Sequence, residues 1–122
     1  GVTITGVLSA NVFINKASNF TLTATGGKPP YTWSISAGAL PPGYSLNATT
    51  GVISGAAIAT GNFNFVYAVN DSVSAASVHA DGLVVVSRST VQGDVNGDGV
   101  VDATDTKLKA AIVELLYGNV LR

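Results

Sequence analysis

Apolar and polar residues alternate along four stretches within the first ninety residues. The apolar positions are Phe20, Leu22 and Ala24; Tyr31, Trp33 and Ile35; Phe63, Phe65, Tyr67 and Val69; and Val78, Ala80, Val84 and Val86. Half of the residues between them are threonine, serine, asparagine or alanine. Because a period of two turns alternate side chains to opposite faces, each stretch predicts a β-strand with one buried face.

Turn-forming residues separate these stretches. Glycine and proline cluster at residues 26–30, 41–43, 50–51 and 60–62. Short strands with turns about every eight to twelve residues are typical of an all-β sandwich or barrel. The pattern therefore predicts an all-β domain over residues 1–90.

Charge is distributed unevenly along the chain. Charged residues make up 11% of the 122 residues, against about 25% in an average protein. Four of the six aspartates nevertheless fall within residues 94–105. Because like charges repel at such spacing unless something neutralises them, the cluster points to a specific role for residues 91–122.

The sequence of residues 94–105, DVNGDGVVDATD, carries oxygen side chains at loop positions 1, 3, 5, 9 and 12, with Gly99 at position 6. This is the spacing of a 12-residue EF-hand calcium loop. Calcium takes six to eight hard oxygen ligands, and glycine permits the sharp turn that the loop needs. We expect one structural Ca²⁺; the alternative is a polar turn without metal. The predicted ligands are Asp94, Asn96, Asp98, the Val100 carbonyl, Asp102 and Asp105.

A helix is predicted to follow over residues 103–117. Asp102 or Thr104 can cap it, and Gly118 is the expected stop. Its apolar stripe consists of Leu108, Ile112, Leu115 and Leu116. A single 15-residue amphipathic helix is marginal by itself. It must pack on the β domain, on a second copy or on another chain, and we expect this stripe to bind a protein partner.

The middle of the chain resembles the immunoglobulin-like domain of bacterial surface proteins. The matching segments are the glycine pair at 26–27, PPYTWS at 29–34, LPPGYSLN at 40–47, TGVISG at 50–55, and the aromatic strand with its turn at 61–72. Tyr44 replaces the usual leucine, and Ala56-Ala57 replaces the usual proline. The resemblance covers about residues 2–88 and implies a non-catalytic Ig-like β-sandwich that serves as a spacer, an adhesive or a partner-contacting module.

The C-terminal segment, about residues 93–118, resembles one repeat of a dockerin, the calcium module that joins surface proteins to cohesins. Dockerin loops typically close with aspartate, as Asp105 does here, and Ala103 and Thr104 occupy the positions of a variable partner-reading pair. A full dockerin has two such repeats, and this chain shows one. We expect calcium to order this segment more than the sandwich.

Composition narrows the possible partners. No run of 18 apolar residues suggests a membrane span, and no basic cluster suggests nucleic-acid binding. The chain has no Cys, which excludes thiol catalysis and disulfides. It also has no Met and begins at Gly1. We therefore expect removal of an N-terminal leader and an extracellular or cell-surface location.

Catalytic signatures are lacking. His79 is the only histidine, and no nucleophile elbow accompanies it. Trp33, Tyr31 and Tyr44 could stack on a sugar, although the Ig-like pattern places Trp33 in the core.

The sequence thus predicts an Ig-like β-sandwich (residues 1–90) followed by a calcium loop and one helix (residues 91–122). The predicted function is that of a non-catalytic extracellular structural or assembly module with protein partners. Residues 2–8 are a second candidate surface for intermolecular contact, after the helix. The alternatives are a degenerate dockerin that binds a cohesin, and a carbohydrate-binding module.

Overall fold

The chain folds into β-strands followed by a helix. The computed structural model describes residues 1–74 and 76–120, with side chains described in the helix as far as Ile112. Within these residues there are nine strands and one helix. The strands are β1 (Val2–Thr5), β2 (Ser9–Phe13), β3 (Ala17–Thr21), β4 (Thr23–Gly26), β5 (Thr32–Gly38), β6 (Tyr44–Leu46), β7 (Val52–Ala56), β8 (Gly61–Asn70) and β9 (Val78–Ser87), and the helix is α1 (Ala103–Val120).

The strands form two layers. One layer is a four-stranded sheet in the order β2-β9-β8-β5. The other consists of a three-stranded sheet, β3-β7-β6, and the pair β1-β4. Only Leu22 separates β3 from β4, so these two strands continue one another along the second layer. Antiparallel pairing prevails, but β2 runs parallel to β9, with Ser9 opposite Leu83 and Phe13 opposite Ser87.

Alternation in the sequence matches burial in the structure. Phe65, Tyr67 and Val69 of β8 point into the core, as do Val84 and Val86 of β9. Trp33 of β5 is 3% exposed and lies near Tyr67, with 6.4 Å between the ring centroids. Leu22, Ile53 and Ala57 complete the buried centre. These positions confirm the predicted all-β sandwich, and they confirm that Trp33 belongs to its core.

One turn of the sandwich is held by an aspartate. The Asp71 carboxylate accepts hydrogen bonds from the amides of Lys28 (2.9 Å), Ser74 (2.6 Å) and Val73 (3.3 Å). The Lys28 amide, followed by the Ser74 amide, outweighs the opposing effect of burial and lowers the pKa of Asp71 from 3.8 to about 2. Asp71 is therefore ionised at neutral pH and joins the β8–β9 turn to the loop before β5.

The first strand is paired within the chain, and the helix is longer than predicted. β1 pairs with β4 of the same chain, so residues 2–5 already hydrogen-bond along one edge. The helix begins at Ala103 as predicted but extends to Val120, so the expected stop at Gly118 is wrong. An isolated glycine costs a helix only about 1 kcal/mol and does not by itself end it. Among the described residues, no helix has both the length and the apolar character needed to cross a bilayer.

Candidate metal centre

The segment between β9 and α1 folds into a tight loop whose turns depend on glycine. Gly97 and Gly99 have φ values of 75° and 87°, in the left-handed region that glycine enters without steric cost. These turns direct alternate side chains of residues 94–98 toward the loop centre. The resulting loop carries the predicted cluster of acidic residues.

Three carboxylates converge inside the loop. Asp94, Asp98 and Asp105 are all buried, and each offers one carboxylate oxygen within 4.8 Å of those of the other two. Asp105 is 2% exposed, although it lies in the first turn of α1. The helix start is thereby joined to a loop that begins eleven residues earlier.

Backbone amides fix the first of these carboxylates. One oxygen of Asp94 accepts hydrogen bonds from Gly97 (3.0 Å) and Asp98 (3.2 Å), and the other accepts one from Gly99 (2.6 Å). Burial raises the pKa of Asp94, but hydrogen bonds from the Ser89 hydroxyl and these amides outweigh it, so the net pKa lies below the usual value of 3.8. Asp94 is thus held as an anion.

The other two carboxylates are fixed in the same manner. Asp98 accepts hydrogen bonds from the Val100 amide (2.9 Å) and the Asn96 side-chain amide (3.2 Å). Asp105 accepts them from the backbone amides of Asn96 (3.1 Å) and Asp102 (2.9 Å). Asn96 therefore lies beside Asp98 and Asp105 within the same loop.

The remaining predicted ligands lie at the periphery. Asp102 is exposed, and its carboxylate accepts a hydrogen bond from the Thr104 amide (3.0 Å), which makes it the N-cap of α1. Val100 is 41% exposed and turns its amide toward Asp98. The structure thus brings together Asp94, Asn96, Asp98 and Asp105, while Asp102 caps the helix; the ligand set itself stays a prediction.

The chemistry of the cluster suits a hard cation. Its side chains offer carboxylate and amide oxygens, which are the donors that calcium and magnesium take in proteins. Three buried carboxylates at such short separations repel one another unless positive charge offsets them. The residues present therefore fit a divalent metal ion held by oxygen.

The end of the sandwich contacts the outer side of this loop. Asn15 donates its side-chain amide to the Asn96 carbonyl (2.7 Å), Arg88 donates to the Val95 carbonyl, and the Ser89 amide donates to the Gly97 carbonyl (2.9 Å). The sequence did not predict these contacts. Arg88 offered a faint signal as a cation six residues before Asp94, whereas Asn15 offered none.

The predicted partner surface on the helix is open to solvent over its described part. Leu108 is 40% exposed and Ile112 is 50% exposed. Every residue from 106 to 112 is exposed, so neither layer of the sandwich covers this part of the helix. Leu115 and Leu116 lie outside the described side chains.

Tyr44 and Tyr31, the half-buried candidates for contact with a sugar, make hydrogen bonds within the chain. Tyr44 shares a hydrogen bond with the Ser18 hydroxyl (2.5 Å) and packs beside Phe20. The Tyr31 hydroxyl donates to the Gly26 carbonyl (2.6 Å). His79 is exposed on β9, as its alternation with Val78 and Ala80 predicts.

Solved structures with similar folds include a "putative alpha-galactosidase" and protocadherins. A Bacteroides fragilis protein described as a "putative alpha-galactosidase" is 19% identical, with a TM-score of 0.61 over 70% of this chain and 17% of that one. The protocadherin GammaB4 extracellular domain is 18% identical, with a TM-score of 0.58 over 71% and 17%. Human protocadherin-24 EC1-2 is 18% identical, with a TM-score of 0.54 over 72% and 45%. This chain therefore spans less than half the length of each of these three proteins.

A search of the curated proteins found no match. Ig-like domains are usually non-enzymatic structural or protein-interaction modules, and they are typically extracellular or on a cell surface. The family described as "Putative Ig domain" matches residues 2–87, which is most of the chain and ends before the acidic loop. By this match, the chain belongs to the "Putative Ig domain" family.

Proposed function

We propose that this chain is an extracellular, calcium-binding structural or assembly module that makes protein contacts and performs no catalysis. The observation that carries the calcium assignment is the convergence of the buried carboxylates of Asp94, Asp98 and Asp105. Their spacing in the sequence, with a glycine at loop position 6, is that of an EF-hand loop. The Ig-like sandwich supports the structural role.

Each loop residue has a defined part in this proposal. Asp94, Asn96 and Asp98 present oxygens from alternate positions, and Asp105 brings a carboxylate from the helix. The Val100 carbonyl and Asp102 complete the set, with Asp102 binding directly or through water. A bound ion supplies positive charge that offsets the repulsion among the carboxylates. The loop and the first turn of α1 would then be held together at physiological calcium.

The exposed stripe on α1 is the proposed partner surface. Leu108 and Ile112 are half exposed, and Leu115 and Leu116 continue their spacing in the sequence. Burying one leucine or isoleucine contributes about 1.5–3 kcal/mol, so an uncovered stripe favours association. An apolar helix face of this kind packs into a groove of a partner chain.

Docking to a cohesin in the manner of a dockerin is a second candidate for the same surface. Ala103 and Thr104, which the dockerin resemblance marks as a partner-reading pair, are exposed at the start of α1, and Thr104 lies one turn before Leu108. Carbohydrate binding gains no such support, since Trp33 is buried and Tyr31 and Tyr44 make hydrogen bonds within the chain.

Calorimetric titration of the intact chain with calcium chloride tests the metal assignment. We expect one bound ion per chain, with affinity lowered by orders of magnitude in Asp94→Ala because an anionic ligand is lost. Asp81→Ala is the matched control, since Asp81 is an exposed aspartate on β9 outside the loop. No heat at millimolar calcium, or equal losses in the two variants, would contradict the assignment.

A further inference from the structure

The acidic loop is attached to the sandwich through three consecutive carbonyl groups. Those of Val95, Asn96 and Gly97 accept hydrogen bonds from Arg88, Asn15 and the Ser89 amide respectively. All three donors belong to the end of the sandwich, and Asn15 is 81 residues away from Asn96 in sequence. Successive carbonyls of one loop segment are thus turned outward and engaged.

Close packing reinforces this attachment. A Cβ on Gly99 would come within 2.6 Å of the Phe13 ring, and one on Gly97 would collide with the Arg88 side chain and lie 3.1 Å from Ile14. The loop backbone therefore rests directly on side chains from the end of β2 and from beyond β9. Such contact leaves little room for the loop to change shape while it stays on the sandwich.

The sandwich in turn fixes Asn15. Its φ is 64°, the left-handed conformation that asparagine tolerates better than most residues, and its amide donates to the Ala57 carbonyl (2.9 Å). The backbone of Asn15 is thereby anchored on one side, while its side chain reaches the loop on the other. Glycine at this position would keep the backbone conformation and remove only the side-chain donor.

We propose that Asn15 and Arg88 are positioning residues for the metal loop, with the end of the sandwich as the support that holds the loop in shape. This inference rests on the proposed calcium function. By holding three carbonyls outward, the sandwich keeps the carboxylate oxygens of Asp94 and Asp98 turned inward before an ion arrives. A preorganised loop loses less conformational freedom on binding and so binds more tightly.

Calorimetry with calcium chloride on three variants of the intact chain tests this proposal. Asn15→Gly should weaken calcium affinity about tenfold, the scale seen when partners that orient metal ligands are removed. Arg88→Ala should also weaken it. Lys16→Ala is the control, because Lys16 is an exposed cation in the same turn as Asn15.

The sign of the Arg88 effect separates positioning from simple electrostatics. Removing a positive charge beside an acidic loop strengthens cation binding if charge alone matters, and Lys16→Ala reports that contribution. Weaker binding in Arg88→Ala together with unchanged or slightly tighter binding in Lys16→Ala supports positioning. Tighter binding in both would overturn it.

Hydrogen exchange at one amide gives an independent readout. The Ser89 amide donates to the Gly97 carbonyl, so its exchange reports whether the loop is docked. Calcium should slow this exchange in the wild type, and Asn15→Gly should accelerate it. Calcium heat in the wild type with unchanged affinity in both Asn15→Gly and Arg88→Ala would overturn this inference alone. No calcium heat in the wild type would overturn the proposed function and this inference together.

Discussion

Aspartates organise the irregular parts of this chain by accepting hydrogen bonds from backbone amides. Asp71 ties together two turns of the sandwich, Asp94 and Asp105 shape the acidic loop, and Asp102 caps the helix. At Asp71 and Asp94 such bonds favour the ionised carboxylate and lower its pKa. The geometry of the two turns that these aspartates hold therefore depends on charge, which makes it sensitive to acid.

Asp71→Asn should remove the stabilisation that ionised Asp71 gives to the sandwich, without changing the other aspartates. The folded pKa of Asp71 is about 2, below the unfolded value of 3.8, so the unfolded state binds more protons between these values. The stabilisation is complete above 3.8 and is lost as pH falls toward 2. We expect Asp71→Asn to be less stable than the wild type at about pH 5, with the difference shrinking toward pH 2. Urea unfolding in chelator across this range measures it.

The same titration on Asp81→Asn provides the control, because Asp81 is an exposed aspartate of β9. A difference between the wild type and Asp71→Asn that stays constant from about pH 5 to pH 2 would contradict the proposed role of ionised Asp71.

The residues of the acidic loop could be predicted from the sequence, whereas the residue that supports the loop could not. Asp94, Asp98 and Asp105 were predicted to share a site because one short loop carries them at a recognisable spacing, and the structure brings their oxygens together. Asn15 was not predicted, because its partner lies 81 residues away and only the folded sandwich brings them into contact. Local spacing predicts what lies within the loop, whereas tertiary packing decides what supports it.

Strands were more predictable than the helix end. Alternation placed Trp33 and Tyr67 in the core because one face of each strand is buried. The helix passes Gly118, since the penalty for one glycine is smaller than the gain from continuing hydrogen bonds. The division of β1 and β2 between the two layers was not visible, because both carry similar short alternating patterns.

The exposed stripe of α1 leads to a prediction about association. Ile112→Asp introduces a charge into the proposed contact, so it should abolish self-association or partner binding while the sandwich stays folded. Ala110→Asp is the matched control, because Ala110 is exposed and lies about 200° around the helix from Ile112. Molar mass in solution, measured with calcium and with chelator, gives the outcome for self-association.

Loss of sandwich structure in Ile112→Asp would show that the helix belongs to the intramolecular core. A wild type that stays monomeric at high concentration and binds no partner through this face would exclude the contact. Equal effects of Ile112→Asp and Ala110→Asp would point to the added charge rather than to the stripe.

Hydrogen bonds between the sandwich and the acidic loop cross the predicted domain boundary between residues 90 and 91. Asn15 and Arg88 lie on one side of this boundary and bind carbonyls on the other. The expectation that calcium orders the C-terminal segment more than the sandwich was based on treating the two as independent. The contacts between them favour a linked response.

Calcium should therefore stabilise the sandwich as well as the loop. At a free calcium concentration 100 times the Kd, mass action raises the free energy of unfolding by about 2.7 kcal/mol if both parts unfold together. Denaturant unfolding monitored by the fluorescence of buried Trp33 measures this change. If calcium binds but leaves the Trp33 transition unmoved, the two parts unfold separately.

The parallel pairing of β2 with β9 sets how the domain bears a mechanical load. Tension from the N-terminal side reaches β2 at Ser9, and tension from the C-terminal side reaches β9 at Ser87, which lies opposite Phe13 at the far end of the pair. In parallel strands pulled from opposite ends, the hydrogen bonds are strained in shear and share the force, instead of opening one after another. The acidic loop lies between β9 and α1, so a C-terminal pull reaches the loop before it reaches the β2–β9 pair. The β2–β9 pair should therefore resist tension applied between the two ends of the domain.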